Sequence, residues 1–290
     1  MIQNETVFIL GAGASVPYGF PLGERLVINI LSNLSNNTFI NPLVKRGFSE
    51  ETIAKFTNKL KGSNLKSIDA FLENQNDDIK LLGKVAIAQE LIKSNDYKHV
   101  DSKDDWYKEV WNAMYTTPEL IGGNKISFIS FNYDLSLEHY LHQSITSSFD
   151  LSSHEVLKIL SSLKIVHLHG KIGYEPWDKS YQPNLDIVEA AKGIKIISDE
   201  IEDDKDFIRA HGFISQAQRI YFIGFGYHPV NIDRLKIKQK LENKLITGST
   251  FGLTDLQCSQ IENKIGQVNI LCKTHGWGNL RFLREKVLLN

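Results

Sequence analysis

The sequence predicts an α/β fold, a Rossmann-like doubly wound parallel sheet with an inserted helical module, and three observations carry this prediction. Short runs of β-branched and aromatic residues are apolar on both faces, as expected for strands buried in a parallel sheet. Helical patterns separate most of these runs, which is typical of doubly wound folds. The first run, TVFIL, leads directly into the glycine-rich turn GAGAS, a common feature of nucleotide-binding sheets.

The predicted elements alternate along most of the chain. The predicted strands are TVFIL (6–10), KISFISF (125–131), LKIVHLH (163–169), IKII (194–197), RIYFIGFG (219–226), STFGL (249–253) and QVNILC (267–272). The main helical patterns cover 22–34, 135–143, 206–218, 231–244 and 256–266. Residues 38–117 carry amphipathic helical patterns without a strand pattern, so we interpret them as a helical insertion within one domain spanning 1–290.

Composition narrows the class of protein. The 290 residues include 33 basic and 34 acidic side chains, so the chain lacks the positive charge excess typical of direct nucleic-acid binding. The two cysteines, Cys258 and Cys272, are far apart and form no paired zinc motif. No apolar stretch approaches the roughly 20 residues that span a bilayer, and the first residues lack a signal-peptide pattern. We therefore expect a cytoplasmic protein without membrane contact.

The turn from Gly11 to Ser15 follows a buried strand with small residues, which lets a phosphate approach the backbone. The dinucleotide fingerprint G-x-G-x-x-G fails at its third glycine, where Val16 stands, and the acidic residue expected about 20 positions later is missing. The Walker pattern fails as well. A dehydrogenase and a P-loop ATPase are therefore disfavoured, while a purely structural turn remains an alternative.

The second strand ends in the polar residues Asn132 and Asp134, which share one face at a spacing of two. Parallel sheets bind their ligands at the carboxyl ends of their strands, so both side chains are candidates for a site. The alternative is that one of them caps the following helix.

The next strand ends in His169 and Gly170, and His167 lies on the same strand face as His169. A metal pair is possible, but no third ligand of matching spacing is visible. A single imidazole before a glycine fits a general base better, with a buried structural histidine as the alternative. A later strand ends in Gly224 and Gly226, which would let a ribose or adenine lie against the backbone.

The order GAGAS, FNYD, HLHG and GFG resembles the sirtuin-like family of NAD-consuming enzymes. The resemblance implies Asn132 and Asp134 around the nicotinamide ribose and His169 as catalytic base. It also implies NAD contacts at Gly11, Ala12, Gly13, Ala14, Ser15, Pro21, Gly170, Gly224 and Gly226. NAD+ would be the substrate and no further cofactor would be needed.

Two departures from the protein deacylases of that family refine the expectation. The zinc ribbon of two cysteine pairs cannot form from the two cysteines, so neither zinc nor another metal is expected. The stretches VPYGFPLGERL (16–26) and SIDAFLE (67–73) are similar instead to the prokaryotic antiphage-defence subfamily, whose members hydrolyse NAD. The resemblance thus implies an NAD+ hydrolase that acts as an antiphage effector. A deacylase, an ADP-ribosyltransferase and a non-catalytic NAD- or ADP-ribose-binding subunit remain alternatives.

A toxic NAD+ hydrolase must be kept silent until it is needed. We expect control by homo-oligomerisation or by a partner, such as an AAA-type ATPase, a nucleic-acid-guided protein or another defence sensor. Residues 38–117 are the expected contact surface, and a lid over the active site is the alternative role for them.

Overall fold

The computed structural model describes residues 1–94, 103–173, 186–196, 204–240, 243–266 and 275–289. In these ranges a single sheet contains five strands: β1 (Thr6–Leu10), β2 (Ile126–Ser130), β3 (Lys164–His167), β4 (Arg219–Ile223) and β5 (Leu245–Gly248). All neighbouring strands run parallel, in the order β3-β2-β1-β4-β5. The central strand β1 therefore lies where the chain changes direction across the sheet, the position at which such folds bind ligands.

The same ranges contain fifteen α-helices. They are α1 (Ala12–Ser15), α2 (Gly23–Asn33), α3 (Asn37–Lys45), α4 (Glu50–Ser63), α5 (Ile68–Leu72), α6 (Asp77–Ser94), α7 (Trp106–Met114), α8 (Pro118–Ile121), α9 (Ser136–Ser148), α10 (Ser153–Ser162), α11 (Ile187–Ala191), α12 (Lys205–Gln216), α13 (Pro229–Leu235), α14 (Asp255–Ile265) and α15 (Asn279–Lys286). Two short 3₁₀ segments cover Val16–Tyr18 and Ile237–Lys240. None of these helices is both long and apolar enough to cross a membrane.

Both faces of the sheet are covered by helices. Because side chains alternate along a strand, Val7 and Ile9 of β1 belong to a core shared with α12, α13 and α14. Phe8 and Leu10 belong to a second core on the opposite face, shared with α7, α9, α10 and α15. Each strand of the centre is thus apolar on both sides. This arrangement confirms the predicted doubly wound α/β fold.

Helices α2 to α6 and α11 form a third core, which also contains Tyr133 from the loop after β2. Helix α7 contributes Trp106 and Val110 to the second core instead, the one that contains Phe8 and Leu10. Residues 38–117 are therefore divided between two cores. Their interpretation as an inserted module stays a prediction.

Three predicted elements differ most clearly from the structure, beyond small shifts of their ends. Residues 194–196 form no strand, and Ile194 makes one isolated antiparallel bridge to Gly170. The strand predicted at 249–253 is not observed, and the last described strand, β5, lies just before it. Ile246 and Thr247 pair with β4, and this pairing ends before Ser249. The predicted helix 231–244 begins at Pro229 and ends at Leu235, since Lys236 adopts a left-handed conformation with φ 51°. The predicted strand 267–272, with Cys272, lies outside the described residues.

Candidate active site

A cleft lies at the carboxyl ends of the strands, and eight residues proposed from the sequence line it. They are Gly11, Ala12, Ser15, Pro21, Asn132, Asp134, His169 and Gly226. Four other proposed residues, Gly13, Ala14, Gly170 and Gly224, lie outside its lining. The structure thus brings the polar candidates from three different strand ends to one cleft.

The glycines of the first turn serve close packing between the ends of β1 and β4. The Gly13 N–H donates to the Gly224 carbonyl at 2.9 Å, so it is engaged within the protein. A Cβ on Gly13 would lie 2.8 Å from Gly224, and Gly224 itself has φ +55° with Ala14 N only 2.1 Å from its ideal Cβ. The Ala12 N–H, by contrast, has no hydrogen-bond partner among the described residues, and Ala12 lines the cleft.

Side chains from distant helices hold the first turn from behind. Trp106 Nε1 of α7 donates to the Ala14 carbonyl at 2.8 Å. Asn279 Nδ2 of α15 donates to the Gly13 carbonyl at 2.9 Å. These two hydrogen bonds join the turn to helices of the second core. They hold the backbone of the turn in place before any ligand binds.

Asn132 lies in the loop after β2 and is almost fully buried. Its Nδ2 donates to the Gly11 carbonyl and to Ser15 Oγ, each at 2.9 Å. Because a carbonyl can only accept, the amide nitrogen must face Gly11. The Oδ1 atom has no partner in the described part of the chain, and it remains an acceptor for a water or a hydroxyl group in the cleft.

Asp134 is buried beside Asn132 and fastens the start of α9. Its Oδ1 accepts from the Ser136 backbone N–H at 3.1 Å and from the Ser136 hydroxyl. Burial raises the pKa of Asp134, although hydrogen bonds from Ser136 and Ser15 oppose this rise. The N-cap of α9 is Leu135, so Asp134 does not cap this helix, but its carboxylate binds the first helical residue, Ser136, and also lines the cleft.

His169 is 5% exposed and lines the cleft. Its Nε2 is buried without a hydrogen-bond partner among the described residues. Burial lowers the pKa of His169, while the nearby Asp69 carboxylate raises it and the Arg234 cation lowers it. The imidazole is thus neutral near pH 7 and has an unengaged nitrogen, the state that a general base requires.

His167 is not available as a base, because both of its ring nitrogens have protein partners. Its Nε2 lies 2.7 Å from Glu138 Oε1 and its Nδ1 lies 2.9 Å from the Asn132 carbonyl. Both partners only accept, so both ring nitrogens donate and the ring is a cation. Burial opposes this charge, but Glu138 raises the pKa of His167 to about 9. With both nitrogens occupied by protein partners, His167 is not free to bind a metal.

Several lining residues were not found by sequence reasoning. Asp69 of α5 accepts a hydrogen bond from the Tyr133 hydroxyl, and Asn231 of α13 has a buried Oδ1 without a partner in the described ranges. The others are Phe20, Gly23, Leu26, Ser67, Leu91, Phe131, Tyr133, Phe225, Tyr227 and His228. The SIDAFLE stretch was a signal for Asp69, but the sequence did not indicate that this stretch reaches the cleft.

No protein-family model matches the chain, and no curated protein matches it either. Among solved structures, the chain is similar to Sir2Tm bound to a propionylated peptide, with 13% identity, a TM-score of 0.42, and coverage of 96% of this chain and 90% of that chain. It is also similar to a second solved structure, which concerns the structural basis of sirtuin substrate affinity. The identity is 14%, the TM-score is 0.42, and the match covers 96% of this chain and 91% of that chain. Similarity at this level establishes neither a family nor an activity for this chain.

Proposed function

We propose that this chain is an NAD+ hydrolase that cleaves the nicotinamide–ribose bond to give ADP-ribose and nicotinamide. One observation carries the proposal: the Asn132 amide lines the same cleft as His169, whose Nε2 has no hydrogen-bond partner among the described residues, beside the glycine turn at the end of β1. An acceptor that positions a water and a neutral base that takes its proton are the two groups that hydrolysis of this bond needs.

The chemistry follows from the charge of the substrate. Nicotinamide in NAD+ is already a cationic leaving group, so the departing nitrogen takes the bonding electron pair without needing an acid. The water oxygen, held by Asn132 Oδ1, forms the new bond to the anomeric carbon, and its proton goes to the His169 imidazole. No lysine or arginine is among the described residues that line the cleft. The Ala12 N–H and the small turn residues would therefore receive the pyrophosphate.

The resemblance noted from the sequence supports a biological role for this activity. In the antiphage-defence subfamily that the chain resembles, NAD hydrolysis drains the cell of NAD after infection. The proposed role is that of an effector held silent by a homo-oligomer or by a partner such as an AAA-type ATPase. The same residues would also suit a deacylase or an ADP-ribosyltransferase if an acyl-lysine oxygen or a protein side chain replaced water.

Nicotinamide release separates these functions. The purified full chain is incubated with NAD+ with or without an acyl-lysine peptide, and nicotinamide is quantified by chromatography. Release without peptide is expected, falling at least about 100-fold in His169→Gln. The control is His154→Gln, an exposed histidine on α10 that should leave the rate unchanged. Release only with peptide would favour the deacylase, and binding without release would favour the non-catalytic subunit.

A further inference from the structure

Asp69 reaches the cleft from outside the strand ends that carry the other polar groups. It lies in the first turn of α5, whose N-cap Ser67 accepts a hydrogen bond from the Ala70 N–H at 3.3 Å. Ser67 and Asp69 both line the cleft with Asn132 and His169. The helical part of the chain therefore contributes a carboxylate to the same site.

The Asp69 carboxylate is fixed through the loop that carries Asn132 and Asp134. The hydroxyl of Tyr133, which lies between those two residues in the chain, donates to Asp69 Oδ1. The Tyr133 ring is itself held beside His169, with 6.1 Å between the ring centroids. The Tyr133 carbonyl accepts from the Ile172 N–H at 2.9 Å. Asp69 is thus attached to the polar centre of the cleft by a rigid aromatic side chain.

The second carboxylate oxygen of Asp69 has no hydrogen-bond partner among the described residues, so it can accept a bond from a ligand or face a positive charge. The other carboxylate of the cleft, Asp134, is engaged by Ser136. No lysine or arginine of the described residues lines the cleft to neutralise Asp69. The chemistry of this wall therefore favours a cationic group over a neutral or anionic one.

We propose, on the basis of the function proposed above, that Asp69 faces the positively charged nicotinamide–ribose end of NAD+ and selects the cationic nucleotide over its neutral-ring, reduced form. Its carboxylate stabilises the pyridinium of the bound substrate. The same charge faces the oxocarbenium character that develops at the anomeric carbon as the bond breaks. The active site is therefore incomplete without the SIDAFLE stretch of the helical segment.

The test uses Asp69→Asn, which keeps the shape of the side chain and an acceptor for Tyr133 but removes the charge. The control is Asp78→Asn, the same change at an exposed position in the first turn of α6. Affinities for NAD+ and for NADH are measured by calorimetry with the full chain. We expect Asp69→Asn to weaken NAD+ binding about tenfold and to leave NADH binding unchanged, while the control binds both nucleotides as the wild type does.

The outcomes separate this inference from the proposed function. Unchanged NAD+ affinity in Asp69→Asn, or an equal loss for both nucleotides, overturns the role of Asp69 and leaves the hydrolase proposal intact. Wild-type protein that binds no NAD+ overturns both. A second measurement needs no nucleotide: because the Asp69 charge raises the pKa of His169, Asp69→Asn should lower that pKa in an NMR titration. An unchanged titration would contradict the placement of Asp69 beside His169.

Discussion

His167 and Glu138 form a buried ion pair that holds the backbone of Asn132. His167 Nε2 lies 2.7 Å from Glu138 Oε1, and the other ring nitrogen donates to the Asn132 carbonyl at 2.9 Å. The pair joins the end of β3 to helix α9 across the loop that carries the candidate catalytic amide. The position of Asn132 in the cleft therefore depends on two charged groups that the proposed reaction does not use.

This ion pair predicts a loss of stability at alkaline pH. The pKa of His167 is raised from 6.5 to about 9 in the folded chain. The protonated His167 therefore contributes on the order of 3 kcal/mol to the free energy of unfolding. This contribution is complete below about pH 6.5 and is lost as the pH rises through 9. Burial raises the pKa of Glu138, but His167 lowers it further, so the pKa of this carboxyl lies below its ordinary value of 4.5. The stability that Glu138 contributes is therefore lost only in acid, as the pH falls through its lowered pKa.

Urea unfolding between pH 6 and pH 10 measures this effect. The free energy of unfolding of the wild type should fall over this interval, and Glu138→Gln should lack most of that fall because it removes the charge that holds the proton on His167. Parallel pH profiles for the wild type and Glu138→Gln would show that the pair does not control the alkaline loss.

Asn132 should matter for stability as well as for activity. Asn132→Ala leaves the Gly11 carbonyl and the Ser15 hydroxyl without the amide donor, which we expect to lower the free energy of unfolding by about 1–3 kcal/mol. Nicotinamide release should be lost at temperatures where the variant remains folded. Asn58→Ala, on the exposed surface of α4, is the matched control in thermal denaturation. Equal melting temperatures for the two variants would contradict the hydrogen-bonding role.

Alanine substitution should affect stability at Gly224 but NAD+ affinity at Gly226. A Cβ on Gly224 would lie 2.1 Å from Ala14 N in a left-handed conformation, so Gly224→Ala should lose more than about 1 kcal/mol of stability. Among the described residues, no heavy atom would lie within 4 Å of a Cβ on Gly226. Gly226→Ala should therefore fold normally and lose NAD+ affinity, because the methyl group occupies space in the cleft. Full affinity in a calorimetric titration would show that the nucleotide does not approach Gly226.

The support behind the first turn should affect binding without touching the ligand. Asn279→Ala removes the hydrogen bond from α15 to the Gly13 carbonyl, so the turn should be less well ordered when nucleotide binds. We expect weaker NAD+ binding together with a small loss of stability, about 1 kcal/mol. Comparing the dissociation constant with the melting temperature checks both. An unchanged dissociation constant would indicate that the turn keeps its shape through Trp106 alone.

The sequence predicted the sheet well because its central strands are apolar on both faces. The predicted 6–10 coincides with β1, and β2 lies within the predicted 125–131. The strand predicted at 249–253 was wrong, because the apolar run continues past the point where β5 leaves the ladder. Local pattern does not report where pairing with a neighbour ends.

The cleft was predictable only in part for a related reason. Asn132, Asp134 and His169 stand at strand ends that any parallel sheet brings together, so their sequence positions were informative. Asp69 meets Tyr133 across 64 residues, and Glu138 meets His167 across 29. Neither contact has a spacing signature. The use of Gly13 for packing against Gly224 also depends on tertiary approach, which the turn sequence does not reveal.

Hydrolysis of NAD+ by this chain is tested most directly by the reaction of the wild type with NAD+ in water enriched in ¹⁸O, without any acylated peptide. We expect equal amounts of nicotinamide and ADP-ribose, with one ¹⁸O at the anomeric hydroxyl of the ADP-ribose, and at least about 100-fold less of both products from His169→Gln. A folded wild-type chain that binds NAD+ but releases no nicotinamide, or equal release by His169→Gln, would contradict this expectation.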